Sequence, residues 1–284
     1  MTLLSEADLD AQYRQFLARV PRRQAVLAAD QHWSWIDAGG GDQALVMLPG
    51  FMGEAETSFL FINALAEHAR VISVSHPPSV RKVAQFCDGL CALMDQAGIP
   101  QAVVLGGSSG GFLAQAFARH APARTGGLIL THTGLPSRAR ARSAQRYHRL
   151  LQALPFTITH RLMLLSVAFY FPGRSRTQAF WRDHFRSIIR GLSHAAVLNR
   201  FSLLVDFHQN YRFHTGDLAL EPGRILLMEM LKDHLSSAAE QAQLRALYPA
   251  AVLHSFSETA HYDSVERPDE QIGVIARFLR AGQR

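Results

Sequence analysis

The residues best placed for chemistry lie in AVVLGGSSGGFLAQAFARHAP, residues 102 to 122. An apolar, strand-like run enters Gly106-Gly107-Ser108-Ser109-Gly110-Gly111 and leaves as a helical pattern. G-x-S-x-G between a strand and a helix is the pattern of a nucleophile elbow, a turn so tight that glycine is needed two residues before and two after the serine. The N-terminus of the helix that follows favours negative charge developing beside the serine. Two registers fit. Residues 106 to 110 make Ser108 the nucleophile, and residues 107 to 111 make it Ser109. The apolar run stops at Leu105, which puts Ser108 at the apex of the turn and favours it.

A serine hydroxyl is a weak nucleophile until a base takes its proton and a carboxylate orients that base. The chain has fourteen histidines, and His261 is distinguished by its place: it follows the last apolar run, AVLHSFSE, and precedes the final helical pattern. His254 lies inside that run and reads as structural. Asp233 lies beyond the apolar run Ile225 to Met228 and leaves room for one helix and one strand before His261. Glu229, at the end of the same run, is the alternative acid. The chain order is then Ser, Asp, His. The oxyanion formed in acyl transfer needs preorganised donors. Met47-Leu48-Pro49-Gly50-Phe51-Met52-Gly53 closes the first long apolar run, and the amides of Phe51 and Ser109 are the expected pair. Phe51 and Met52 would also wall an acyl pocket.

These groups converge only if the segments carrying them form one sheet. Ala44 to Leu48, Val71 to Val74, Ala102 to Leu105, Gly127 to Leu130, Ile225 to Met228 and Ala251 to Phe256 are short apolar runs. Helical patterns at 56–69, 80–97, 110–120, 236–247 and 268–280 alternate with them. Uninterrupted apolar strands alternating with helices predict an α/β fold, a doubly wound and mostly parallel sheet covered on both faces. Before it come a helix within residues 5 to 19 and two short strands, Gln24 to Ala28 and His32 to Asp37. After Gly134 the alternation lapses until about residue 200. We therefore expect a core formed by residues 1–136 and 201–284, interrupted by a helical cap insertion over 137–200.

Composition narrows the function. With 48% apolar and 18% charged residues among 284, the chain packs a core and is not disordered. Cys87 and Cys91 share a helix face, a poor geometry for a disulfide, and read as reduced core thiols. No paired ligand set accompanies them, so they do not make a zinc site, and the Ser-His-Asp chemistry implies neither a metal nor an organic cofactor. The net charge is +6, and lysine occurs only at Lys82 and Lys232, so arginine carries the basic balance. No nucleic-acid-binding motif goes with it. The longest apolar run, Leu162 to Phe171, is too short to span a bilayer and reads as a buried helix or a channel wall. MTLLSEADLD has no basic, then apolar, leader pattern, so the expected location is cytoplasmic.

The elbow, the Ser-Asp-His order and the alternating core resemble the α/β-hydrolase superfamily over roughly residues 40 to 135 and 222 to 280. Ser108, Gly110, Gly111 and Ala114 match the superfamily's Ser-x-Gly-Gly-x-x-Ala run, and Glu266-Arg267-Pro268 is similar to the stretch that follows its catalytic histidine. Two positions depart from the pattern: Pro49 stands where a histidine is usual, and Met230 where a glycine usually precedes the acid. Within the superfamily, Tyr13-Arg14-Gln15-Phe16, Val20-Pro21-Arg22-Arg23, Phe86-Cys87-Asp88-Gly89 and Gly110-Gly111-Phe112-Leu113-Ala114-Gln115 resemble segments of maspardin-like proteins. The superfamily implies a serine hydrolase acting on an ester, thioester or related acyl bond. It also admits cyclisation or C–C cleavage by the same triad, and the maspardin-like proteins imply a non-catalytic binding role as the alternative.

The insertion carries twelve arginines between Ser137 and Arg200 against one acid, Asp183. Aromatic residues are interleaved with them. Phe169 and Trp181 are candidates for the substrate-facing wall, with Met52 opposite. The arginines suit either a solvated outer face or a cationic rim. The expected ligand is a small hydrophobic acyl compound, anionic if the rim is functional, with peripheral membrane contact a lesser option. The oligomeric state is not legible.

Overall fold

The computed structural model describes residues 9–233, 236–257 and 268–282. Helix α1 (Leu9–Arg19) precedes the hairpin β1 (Arg22–Leu27) and β2 (Gln31–Ala38). Then follow β3 (Ala44–Leu48), a 3₁₀ turn (Ala55–Ser58), α2 (Phe59–Leu65), β4 (Arg70–Val74), α3 (Val83–Gln96), β5 (Ala102–Gly107), α4 (Ser109–His120) and β6 (Thr125–Thr131). Four helices come next: α5 (Arg138–Ala153), α6 (Phe156–Tyr170), α7 (Arg176–Gly191) and α8 (His194–Asn210). The chain returns to the sheet with β7 (Ile225–Met230), α9 (Ala238–Leu247), β8 (Val252–Phe256) and α10 (Pro268–Ala281).

The eight strands form one sheet in the order β1-β2-β4-β3-β5-β6-β7-β8. β2 runs antiparallel to both β1 and β4, and β3 to β8 are parallel. All residues of β3 and β7 are buried, as strands sandwiched between helices must be. Successive side chains alternate between two cores. Val46, Leu48, Val104, Leu128 and Leu130 face α3, α4 and part of α8. Leu45, Met47, Leu105, Ile129 and Met228 face α1, α2, α7 and α10. Because β3 to β8 share a direction, their C-terminal ends line one edge, where loops can meet.

The expected helix over 56–69 begins as the 3₁₀ turn, because Glu54 and Thr57 exchange capping bonds and wind its first turn tightly. Serine side chains cap α5, α7, α8 and α9 through Ser137, Ser175, Ser193 and Ser237. In the helical segment α5 packs along α8, and α6 packs chiefly against α7. The reading of Leu162 to Phe171 as a buried helix needs correction. α6 buries only Thr159 and Val167, and Leu162, Leu165 and Phe169 are exposed because nothing described covers that side. No described helix is long and apolar enough to cross a membrane. Cys87 and Cys91 are free thiols on α3, and burial pushes the Cys87 thiol above its usual pKa.

Candidate active site

Ser108 stands alone between β5 and α4 with φ 52° and ψ −123°, the left-handed region that a side chain enters at a cost of about 1–2 kcal/mol. The end of β6 holds it there. Its N–H donates to the Thr131 carbonyl at 3.0 Å, and its own carbonyl accepts from Thr133 Oγ1 at 2.9 Å and from Gly111 N at 3.0 Å. The glycines two residues away have no room for a side chain. A Cβ on Gly106 would lie 2.2 Å from the Gly110 carbonyl oxygen, and one on Gly110 would lie 2.6 Å from that of Leu48. A Cβ on Gly107 would only crowd a methyl of Thr131 at 3.2 Å. The geometry therefore favours the 106–108–110 register. Ser109 is the first residue of α4, and its hydroxyl is buried with no hydrogen-bond partner among the described residues.

The end of β3 and the loop after it lie against α4's first turn, because a Cβ on Gly110 would come within 2.8 Å of the Pro49 carbonyl oxygen as well. Gly50 to Gly53 form a turn closed by a 2.9 Å hydrogen bond from Gly53 N to Gly50 O. Ser73 and Ser75, at the end of β4, hold Ala55 through its carbonyl at 2.9 Å and its N–H at 3.0 Å. Phe51 and Met52 line the same cavity as Ser108.

Asp233 and Glu229 separate clearly. β7 continues two residues past the apolar run, so Glu229 belongs to the strand and pairs with Ser255 of β8. Its carboxylate accepts two bonds from Arg245 Nη1, at 2.6 and 2.8 Å, and one from Ser255 Oγ at 3.2 Å. Asp233 lies in the turn beyond, with its side chain fully buried and Oδ2 at 3.4 Å from His132 Nδ1. His132 follows β6 with φ 50° and borders Ser108. Sequence reasoning passed over His132, although its place just past the strand beside the elbow was a usable signal. His261 lies outside the described residues. His254 lies on β8 with its ring against Phe256, which agrees with a structural role.

Two cavities meet at Ser108. One, of about 210 Å³, is walled by Met47, Met52, Phe61, Leu105, Phe185 and Ile275 and suits an apolar acyl group. The other, of about 270 Å³, shares Phe51, Ser108 and His132 with it and opens toward Phe112, Arg140, Tyr147 and His208. Burial holds His208 down to about 4, and its Nδ1 accepts the Ser137 N–H at 3.3 Å, so the ring is neutral. Arg140 of α5 borders this second cavity and binds Glu240 at 2.6 Å. The structure does not bring the two aromatic candidates from residues 137–200 here. Phe169 is 80% exposed on α6, and Trp181 is fully buried against Phe59 and Phe180. Phe61 and Phe185 take the place expected for them. Among the described residues no cluster of three or more histidine, cysteine or acidic side chains could hold a metal ion.

A model described as the alpha/beta hydrolase family matches residues 45–273. Maspardin of Homo sapiens is 33% identical over 137 residues, 46% of this chain and 44% of its own length. The chain spans about half the length of the curated relatives it matches. Two solved structures share the fold: a hydrolase from Pseudomonas aeruginosa PA01 (TM-score 0.74, 17% identity, 91% of this chain and 98% of that one) and a thermophilic esterase from Thermogutta terrifontis (TM-score 0.74, 18% identity, 93% and 99%).

Proposed function

We propose that this chain, which belongs to the alpha/beta hydrolase family, is a serine hydrolase that cleaves an ester, thioester or related activated acyl bond. The observation that carries this reading is Ser108 itself. A non-glycine residue held at positive φ by Thr131 and Thr133, at the meeting point of two cavities, is strain with no evident structural use.

In this mechanism the Ser108 hydroxyl oxygen attacks the acyl carbon while His261 takes its proton. The amides of Phe51 and Ser109 receive the oxyanion, and the C–O or C–S bond breaks as His261 returns the proton to the leaving group. Water, deprotonated by the same histidine, then releases the acid. Asp233 orients the base. Its complete burial suits that role, because a carboxylate removed from water binds an imidazolium strongly. One observation favours a second candidate base: His132 is in contact with Asp233 and borders Ser108. His261→Ala and His132→Ala separate the two, and the proposal expects His261→Ala to be the inactive variant.

The apolar cavity supports a small hydrophobic acyl group as substrate. The testing experiment is a series of p-nitrophenyl esters of increasing chain length, with wild-type protein and Ser108→Ala. Turnover that depends on Ser108 supports the hydrolase. A folded wild type that binds acyl compounds without turnover points instead to a binding role.

A further inference from the structure

The loop offering the Phe51 amide is clamped by two side chains that the proposed reaction does not consume. His76, just past β4, places Nε2 at 3.2 Å from the Gly50 carbonyl oxygen. A carbonyl has no proton to give, so this nitrogen carries one and the ring is the Nε2–H tautomer. Its Nδ1 is buried without a hydrogen-bond partner among the described residues, which removes any competing reason for the proton to sit there. Full burial, and then the positive charge of Arg200 nearby, keep the ring from taking a second proton.

The Gly50 carbonyl and the Phe51 N–H belong to the same planar trans peptide. Fixing the oxygen therefore fixes the direction of the N–H, which points the opposite way. A hydrogen bond to the oxygen also polarises the amide and makes its N–H a stronger donor. The next carbonyl, that of Phe51, accepts from Arg200 Nη1 at 2.8 Å. The other arm of that guanidinium binds Glu54 Oε1 at 2.5 Å. Arg200 comes from α8, its side chain is 5% exposed, and it ties the helical segment to this loop. Glu54 is in turn approached by Arg22 of β1 at 3.9 Å.

We propose that His76 and Arg200 are positioning residues that aim and polarise the Phe51 N–H as an oxyanion donor, by locking the two carbonyls that flank it. This rests on the serine-hydrolase reading. A donor to the oxyanion acts in the transition state and not on the bound ester, so its loss lowers kcat and leaves KM unchanged. Removing an oxyanion donor outright costs about 10²–10³-fold, and misaiming one costs part of that.

The test uses full-length protein, p-nitrophenyl acetate as substrate and phenylboronic acid as a tetrahedral analogue. His76→Phe keeps the ring volume without the donor. It should lower kcat about 10- to 100-fold, with KM unchanged and boronate affinity reduced by a similar factor. His76→Gln, whose amide N–H can reach the same carbonyl, should recover most of that loss. Wild-type kcat in a folded His76→Phe protein overturns the proposal, as does a His76→Gln variant no better than His76→Phe. Should His76→Phe not fold, Arg200→Lys decides: reduced kcat at unchanged KM supports the clamp, and wild-type kcat overturns it. A wild type inert to both the ester and a fluorophosphonate defeats the hydrolase reading itself. An active wild type with an unaffected His76→Phe defeats the clamp alone.

Discussion

Adding one methyl group at Gly110 should damage the site far more than adding one at Gly107. A Cβ on Gly110 would stand 2.6 Å from the Leu48 carbonyl oxygen and 2.8 Å from that of Pro49, backbone atoms of the end of β3 and of the loop leading to Phe51. Ordinary contact begins near 3.4 Å, so α4 and this loop must part by about 0.8 Å. Overpacking of this kind destabilises by about 1–3 kcal/mol, which corresponds to a Tm lower by roughly 2–10 °C in a domain of this size. The parting also separates the Ser109 amide from the Phe51 amide, and a displacement near 1 Å within a catalytic constellation costs up to about 10²-fold in rate. At Gly107 the added Cβ meets only a Thr131 methyl at 3.2 Å, which a few tenths of an ångström relieve. Gly107→Ala should therefore keep kcat within about 10-fold of wild type. Thermal unfolding and ester turnover on both variants provide the measurement. A Gly110→Ala protein as stable and active as wild type would refute the steric argument, and a Gly107→Ala protein more impaired than Gly110→Ala would refute the register.

Three further outcomes are expected. Asp233→Asn should abolish turnover with the fold retained, whereas Glu229→Gln should leave kcat intact and lower stability by about 1 kcal/mol, because Glu229 serves half-exposed Arg245; kinetics and denaturant titration distinguish them. Burial lowers His184 to about 4, so the unfolded chain binds the extra proton first and stability present above pH 6.5 is lost as pH falls toward 4. Between pH 7 and 5 this histidine accounts for about 2 kcal/mol, and His184→Phe should lose that much less stability over the interval in urea titrations. If the cap arginines form a cationic rim, kcat/KM for anionic esters should fall with added salt while neutral esters are unaffected, and replacing Arg138, Arg140 and Arg142 by glutamine should reproduce the effect of salt; identical salt profiles for both ester classes would make these arginines a solvated face.

The sequence was most informative where sterics leave few options. Gly106 and Gly110 are fixed by backbone contacts within a few residues or with the adjacent strand end, so the elbow is visible as a local pattern. The parallel sheet was equally legible, because strands buried on both faces are apolar along most of their length, as β3 and the first four residues of β7 are. The different settings of Asp233 and Glu229 were not. They depend on two further residues of β7 and on Arg245, a side chain sixteen residues away on α9. His76 and Arg200 left no local signal at all, since each matters through a carbonyl far away in the chain. The placement of the aromatic residues over 137–200 was not legible for a different reason. An arginine- and aromatic-rich helix can turn either face inward, and the composition that suggested Phe169 and Trp181 does not say that one faces solvent and the other the core.

The central claim is that Ser108 is an activated nucleophile. Its most direct test is incubation of the protein with a fluorophosphonate, followed by proteolysis and mass spectrometry of the peptide containing residues 102–119. A stoichiometric adduct on Ser108, absent from Ser108→Ala and retained in Ser109→Ala, is the predicted result. No adduct on folded wild-type protein, or an adduct carried by Ser109, would contradict the account.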